Sequence, residues 1–294
     1  MARGEENARL AKCLAHPADR ANVLRGLFTP LLFFAPFAFP DLGAQGFFCV
    51  LILWPIIGDT NYILHLHAHR PFSNYRTLNL WLDLSLGAVT GITASNWRIQ
   101  HVLGHHRGED HVYRAAPRGE LTRYTARGAL GFSLRSLWPT FAAPLAEAYR
   151  KGCLARLRKP IDYRWAFAEQ CLSIALAAAL FAFRPALTLA YLLPWYALNY
   201  LVSRYVDYLN HYGCQENGSP FERCNNSLNP WFNRLTHNFG HHTAHHLRPE
   251  AHWTELPSIH ARIAHQIPER CLKRFSWSFA MTPYHLYLSA KGRM

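Results

Sequence analysis

Two long apolar blocks set the pattern of hydrophobic and polar positions along the chain. The first runs from Val23 to Leu64 and the second from Ala166 to Val202, and charged residues are rare in both. Each block is long enough for two helices of the ~20 residues that cross a bilayer, so each predicts a helical hairpin. The pattern therefore predicts an all-α integral membrane protein with two transmembrane hairpins, whose four spans lie at residues 23–40, 45–64, 165–182 and 185–203.

The polar residues between and after these blocks complete the predicted architecture. The hairpin turns are expected near Pro40–Gly43 and Phe183–Pro185, and residues 65–163 and 204–294 are expected to form a helical, histidine-rich cap. Residues 1–294 are interpreted as a single domain. A soluble protein with deeply buried helices is the alternative, and the mean hydropathy of −0.10 permits it.

The distribution of arginine and lysine gives the predicted orientation. Of 31 such residues, five lie at or before Arg25, fourteen between Leu64 and Arg164, and ten after Ser203. Segments rich in Lys and Arg stay on the cytoplasmic side of a membrane. Both termini and the cap are therefore predicted to be cytoplasmic. The net charge of +13 is accounted for by this topology and by anionic headgroups, so no nucleic-acid partner is expected.

The seven cysteines form neither a CxxC pair nor a haem-attachment CxxCH motif. This favours free thiols in a reduced compartment. The N-terminal segment contains acidic residues and is followed by an apolar stretch that is too long for a cleavable signal peptide.

Seventeen of the eighteen histidines follow Leu64, and none lies inside the apolar blocks. In "HLHAH", His65 and His69 are four residues apart and share a helical face, whereas His67 points to the opposite side. In "QHVLGHH", His101 and His105 form a second such pair. The adjacent His106, rotated about 100° round an α-helix, is placed to reach a second metal ion.

Two further segments supply candidate ligands. His211 stands alone in "YVDYLNHYG", at the end of the fourth predicted span. The segment "THNFGHHTAHH" holds five histidines, and its helical spacing permits either of two sets on one face, namely His242, His245 and His246, or His237, His241 and His245.

The best candidates amount to nine imidazoles, which exceeds the four ligands of a structural zinc ion. Two six-coordinate ions would use nearly all of them. Imidazole binds iron, copper and zinc, but a site with two ions that faces a membrane favours oxygen chemistry on iron.

Three of these histidine motifs, here called boxes, resemble the histidine boxes of the integral-membrane fatty acid desaturase and hydroxylase superfamily. The boxes of that superfamily read HxxxH, HxxHH or HxxxHH, and HxxHH. Here they are HLHAH, HVLGHH and HTAHH, in the same order along the chain. "QHVLGHH" and "NHYG" are also similar to motifs of membrane alkane monooxygenases. The resemblance favours the HxxHH triplet and implies nine metal ligands, which are His65, His69, His101, His105, His106, His211, His242, His245 and His246.

Other polar residues near the boxes are candidates for supporting or alternative ligands. Asp59, Asp207 and Asn210 are placed to accept the second ring N–H of a ligand histidine, although they could equally cap or solvate helix ends. Four histidines outside that ligand set could support a ligand or replace one, and these are His67, His111, His237 and His241. Trp54, Trp97 and Trp195 are candidates for the lining of a substrate tunnel.

The resemblance implies an O2-dependent oxidoreductase with two iron ions that desaturates or hydroxylates an unactivated C–H position of a fatty acyl or other lipid-like chain. It demands no catalytic residue beyond the metal ligands. No flavin, haem or nicotinamide motif is visible, so an external donor such as a ferredoxin or rubredoxin, with its reductase, is expected. Oxidative alkene formation and carotenoid modification are alternatives within the superfamily. A non-catalytic membrane metal-binding protein is the alternative from another class.

Overall fold

A computed structural model describes residues 13–39, 59–106, 128–137, 142, 146, 149–150, 161–214, 218–273, 287 and 291. The chain divides into two compact units. Unit 1 comprises Met1–Ile99 and Pro144–Ala197, and unit 2 comprises Gln100–Ala143 and Leu198–Met294. The interpretation of residues 1–294 as one domain stays a prediction.

Most described residues of unit 1 are helical. A short 3₁₀ turn at Pro17–Asp19 leads into the first helix. The helices are α1 (Arg20–Ala38), α2 (Thr60–His69), α3 (Arg76–Thr90), α4 (Ala94–Trp97) and α6 (Tyr163–Phe183). A single turn at Pro185–Leu187 and a π-helical segment at Thr188–Leu192 follow α6.

The second unit is helical as well, with one small sheet among its described residues. Its helices are α5 (residues 128–137), α7 (Leu193–His211, which begins in unit 1), α8 (Pro230–Leu235), α9 (His242–Leu247) and α10 (Leu256–Ile263). Short 3₁₀ turns occupy Pro220–Glu222, Trp253–Glu255, Ala264–Gln266 and Glu269–Cys271. Strands β1 (Asn226–Ser227) and β2 (Leu272–Lys273) pair in parallel, with Asn226 opposite Leu272.

Among the residues that the structure describes, two helices are long and apolar enough to cross a membrane. They are Pro17–Ala38, which contains α1, and Tyr163–Phe183, with mean hydropathies of 1.3 and 1.8. Both match predicted spans closely. On α1, Phe28 and Leu31 are 59% and 66% exposed, which suits side chains that contact lipid. Both helices are therefore candidates for membrane spans.

The other two predicted spans are not confirmed. Residues 45–58 lie outside the described residues, and α2 begins only at Thr60. The fourth predicted span falls on helical residues from Pro185 into α7, although the π-helical segment interrupts them. The chain does turn where the second hairpin was predicted to turn, because α6 ends at Phe183 and a new helical turn starts at Pro185.

The core of unit 1 is held by hydrogen bonds from aromatic side chains to helical carbonyl groups. The Tyr191 hydroxyl donates to the Phe33 carbonyl at 2.8 Å, and the Trp195 indole donates to the Val89 carbonyl at 2.8 Å. The end of α3 requires Gly91, because its φ is +72° and a Cβ there would lie 2.6 Å from the ring of Tyr196. These contacts pair the buried polar atoms of two large aromatic side chains with backbone carbonyl groups.

A carboxylate in α6 fixes the start of α4. Glu169 is 2% exposed, and its two oxygens accept the backbone N–H groups of Ala94 and Ser95 at 3.0 and 3.1 Å. These N–H groups have no partner within a helix, so a negative group placed there stabilises the helix start.

Candidate metal centre

In unit 1, helix α2 carries the two candidate ligands of the first box. His65 and His69 lie one turn apart, and their ring centroids are 4.8 Å from each other. Both side chains follow the i, i+4 spacing expected of an α-helix. The indole ring of Trp97 lies 5.7 Å from the His65 ring, so this proposed tunnel residue packs beside the box.

The middle histidine of this box belongs to a buried ion cluster. The His67 Nε2 atom lies 3.1 Å from Asp83, and its Nδ1 atom accepts the backbone N–H of Phe72 at 3.2 Å. Arg98 binds the same carboxylate through two hydrogen bonds of 2.7 and 2.8 Å. Burial raises the pKa of Asp83, but the hydrogen bonds from His67 and Arg98 outweigh it and hold this pKa below its ordinary value.

The second box lies on a π-helical segment that continues from α4 and covers Arg98–His105. The His106 N–H donates to the His101 carbonyl at 3.0 Å, which is the i+5 pattern of a π-helix. As a result His101 and His106 share a side, with their Nε2 atoms 3.1 Å apart. The expected α-helical arrangement, with His101 and His105 as the pair, is therefore wrong.

The third box lies on α9, where the turn is α-helical. His242 and His246 are one turn apart, with their Nε2 atoms at 3.2 Å. His246 also reaches His105, at 3.0 Å between Nε2 atoms. His245 points elsewhere, and its ring lies 4.6 Å from that of His106.

Within unit 2, seven histidines thus assemble into two groups. The first histidine group consists of His101, His106 and His245, and the second histidine group consists of His105, His211, His242 and His246. In each group the potential ligand nitrogens all lie within 4.8 Å of one another. Residues from three separate segments, including the isolated His211, are brought together in this way.

The separations of the nitrogens fit shared metal ions. Imidazole nitrogens bind a metal such as zinc at about 2.0–2.1 Å. Two ligands at a right angle are then about 3 Å apart, and two at a tetrahedral angle about 3.4 Å apart. The Nε2 pairs at 3.0, 3.1, 3.2 and 3.4 Å fall in this range. A donor set of imidazoles suits iron, copper or zinc, and it does not suit magnesium or calcium.

His211 is oriented by a backbone carbonyl group. Its Nδ1 atom lies 2.9 Å from the carbonyl oxygen of Arg223, which can only accept. Nδ1 therefore carries the proton, and the lone pair is on Nε2, which lies 3.4 Å from Nε2 of His242. A ligand histidine commonly has such a partner on its second nitrogen.

Two histidines of α9, His245 and His246, are kept neutral. Burial, with a smaller effect of His105, lowers the pKa of His245 to about 3. Burial and the neighbouring His242, His105, His211 and His245 together hold the pKa of His246 well below its ordinary value. Neutral imidazoles keep a lone pair for a metal ion, so the site is prepared to bind one at neutral pH.

Buried asparagines, which the sequence analysis did not identify, support α9. Asn226 in β1 accepts the Thr243 N–H at 3.0 Å and donates to its hydroxyl at 2.8 Å. Asn233 donates to the Ser227 carbonyl at 2.8 Å and accepts the Gly240 N–H at 2.9 Å. At Gly240 a Cβ would lie 2.2 Å from the Ser227 carbonyl oxygen, so only glycine fits. The sequence feature that could have indicated this support is the pair of adjacent asparagines in "CNNS", because hydrophobic periodicity does not explain them.

The other candidate residues have various surroundings. Asp59 forms an ion pair with Arg25, and Asp207 forms one with Arg204 at 3.4 Å. The Asn210 carbonyl accepts the Asn225 N–H at 2.7 Å. The His237 ring packs on Trp253, and the His241 ring on His260, at centroid distances of 5.1 and 4.8 Å. His111 and Trp54 lie outside the described residues.

Comparison with known proteins assigns a family. The family model for fatty acid desaturases matches residues 42–278, which include all three boxes and His211. None of the curated proteins compared matches the chain. The model match covers most of the chain, and it agrees with histidine groups that suggest iron binding. The chain therefore belongs to the fatty acid desaturase family.

Proposed function

We propose that the protein is an O2-dependent diiron enzyme that desaturates or hydroxylates an unactivated C–H position of a fatty acyl or other lipid-like chain. The observation that carries this proposal is the convergence of seven imidazoles in two groups in a chain of this family. By the resemblance of their box, His65 and His69 are proposed as further iron ligands.

The protein supplies rigid positions for the ligands. The Arg223 carbonyl fixes the tautomer of His211, and the asparagines of unit 2 fix α9. Two iron ions, when bound, would supply the activation of dioxygen that removes hydrogen from an unactivated C–H bond. Imidazole ligands without a neighbouring carboxylate base suit this chemistry better than hydrolysis.

Orientation and electron supply are part of the same proposal. The bias of Arg and Lys supports four spans, with both termini and the histidine boxes on the cytoplasmic side. The net charge of +13 supports docking of an acidic electron carrier of the ferredoxin or rubredoxin class. A reporter fused to the C-terminus tests the orientation, and an external signal would contradict it.

Metal analysis and product analysis of the same preparation test the enzyme proposal. The purified protein should hold close to two iron ions per chain. When it is produced with a reductase system, the lipid fraction should contain a product that has lost two hydrogens or gained one oxygen. A chain that carries zinc and no iron, and yields no new product, would instead indicate a metal-binding protein without catalysis.

A further inference from the structure

Three cysteines that are distant in sequence meet in unit 2, outside the histidine groups. Cys214 follows α7, Cys224 precedes β1, and Cys271 ends the 3₁₀ turn before β2. The pairing of β1 with β2 brings the last two segments together. Because no two of these cysteines are close in sequence, the cluster is not predicted by a sequence motif.

Two of these thiols are in direct contact. The side chains of Cys214 and Cys271 are hydrogen-bonded to each other. Cys214 also lies 3.4 Å from the side-chain oxygen of Asn225, and Cys271 lies 3.9 Å from the Glu222 carbonyl. Cys271 is buried, whereas Cys214 is half-buried.

Charged side chains lie near the pair, namely the cations of Arg270 and Lys273 and the carboxylate of Glu222. Lys273 lies next to both thiols, and its ammonium group donates to the Arg270 carbonyl at 2.8 Å and lies 4.7 Å from the centre of the Tyr212 ring. The hydrogen bond from Cys214 lowers the pKa of Cys271 to about 7, against burial, with help from Arg270 and Lys273. A thiolate beside a protonated thiol is the arrangement from which a disulfide forms.

We propose that Cys214 and Cys271 are a site of oxidative modification, at which hydrogen peroxide converts the two thiols into a disulfide bond. One sulfur of the pair attacks peroxide, so that the O–O bond breaks and a sulfenic acid and hydroxide form. The other sulfur then attacks the sulfenic sulfur, the S–S bond forms, and the sulfenic oxygen leaves as water after protonation. In total, two thiols and one peroxide give one disulfide and two waters, and the sulfurs supply both electrons.

The bond would join the segment that follows a proposed metal ligand to the small sheet. Cys214 donates its backbone N–H to the His211 carbonyl at 3.2 Å, and Cys271 adjoins the strand paired with β1. The disulfide would therefore fasten the chain just after His211 to the small sheet. In a reducing compartment such a bond is reversible, which is typical of redox-sensing thiols.

Mapping of oxidised thiols tests the site without any reference to enzymatic activity. The full-length protein, purified in detergent under reductant, is freed of reductant and treated with graded hydrogen peroxide. Free thiols are then alkylated and the digested peptides are identified by mass spectrometry. We expect a linked peptide pair containing Cys214 and Cys271, lighter by two hydrogens than the reduced peptides, and the loss of two free thiols per chain. Dithiothreitol should restore both.

Two comparisons sharpen the result. Cys13 is a half-buried thiol elsewhere in the chain and should stay reduced at doses that link the pair. Cys224→Ser should leave the linked pair intact, whereas Cys271→Ser should abolish it. If Cys13 is oxidised while Cys214 and Cys271 stay reduced in the wild-type protein, the proposal is wrong. A link that joins Cys224 to either thiol would also overturn it.

Discussion

The buried ion cluster of His67, Asp83 and Arg98 allows a quantitative test of how unit 1 is stabilised. Asp83 is 3% exposed and receives two hydrogen bonds from Arg98 and one contact from His67. Asp83→Asn keeps the size of the side chain, so no cavity is created. It removes the negative charge and leaves the guanidinium group beside a neutral amide that can accept fewer hydrogen bonds.

The expected loss follows from the burial of the pair. Removal of one partner from a buried ion pair costs about 3–5 kcal/mol, because the remaining charge is uncompensated. The Arg98 side chain retains 20% exposure, so partial hydration places the loss near the lower end of that range. At roughly 2–4 °C per kcal/mol, the melting temperature should fall by about 6–12 °C.

Thermal unfolding in detergent, followed by circular dichroism at one heating rate, measures this change. The matched control is Glu250→Gln, since the Arg248–Glu250 pair is 67% and 68% exposed and should not affect the melting temperature measurably. If Asp83→Asn has the same melting temperature as the wild-type protein, the cluster contributes no stability and the reasoning fails.

The same pair of proteins gives a prediction for pH. The pKa of Asp83 is held below its ordinary value, because the hydrogen bonds outweigh burial. Its stabilising effect is therefore complete above an unfolded pKa of about 3.9 and is lost as pH falls through the lower folded pKa. The difference in melting temperature between wild type and Asp83→Asn should be constant near neutral pH and shrink under acid conditions. A difference that grows as pH falls would contradict this.

Three further substitutions probe the other parts of the structure. His211→Ala should lower the iron content and abolish product formation, as measured by elemental and product analysis, whereas the exposed His265→Ala should retain both. Gly240→Ala should lower the melting temperature and weaken iron retention on dialysis, because a Cβ would lie 2.2 Å from the Ser227 carbonyl oxygen. Glu169→Gln should cost about 1–3 kcal/mol in thermal unfolding, because an amide can accept only one of the two N–H groups at the start of α4. If His211→Ala keeps full iron and activity, His211 is not a metal ligand. If Gly240→Ala or Glu169→Gln melts at the same temperature as the wild-type protein, the argument given for that residue is wrong.

Hydropathy was sufficient to predict the two best-defined apolar helices. Predicted spans 23–40 and 165–182 correspond to α1 and α6 within a few residues, because a bilayer-length helix needs only a continuous apolar run. The interruption at Thr188–Leu192 was not predictable in the same way, because its residues are as apolar as their neighbours.

The sequence predicted which histidines form the boxes better than it predicted which of them face one another. The spacing of "HVLGHH" was interpreted on an α-helix, in which His101 faces His105. A π-helical turn uses one more residue, and periodicity analysis has no means of detecting it because the letters are unchanged. The contact of His67 with Asp83 and the support of α9 by Asn226 depend on tertiary packing, which pattern analysis of one sequence does not contain.

Two dipeptides connect the histidine groups. His105 belongs to the second group and His106 to the first, while on α9 His245 belongs to the first and His246 to the second. Neighbouring Cα atoms across a trans peptide bond are about 3.8 Å apart, and this distance hardly varies. Each dipeptide places one histidine in each group, and the order of the groups is reversed between the two dipeptides. These two covalent connections therefore limit how far the groups can separate. Small helix movements should displace both groups as one body, with the spacing between any two bound ions nearly unchanged.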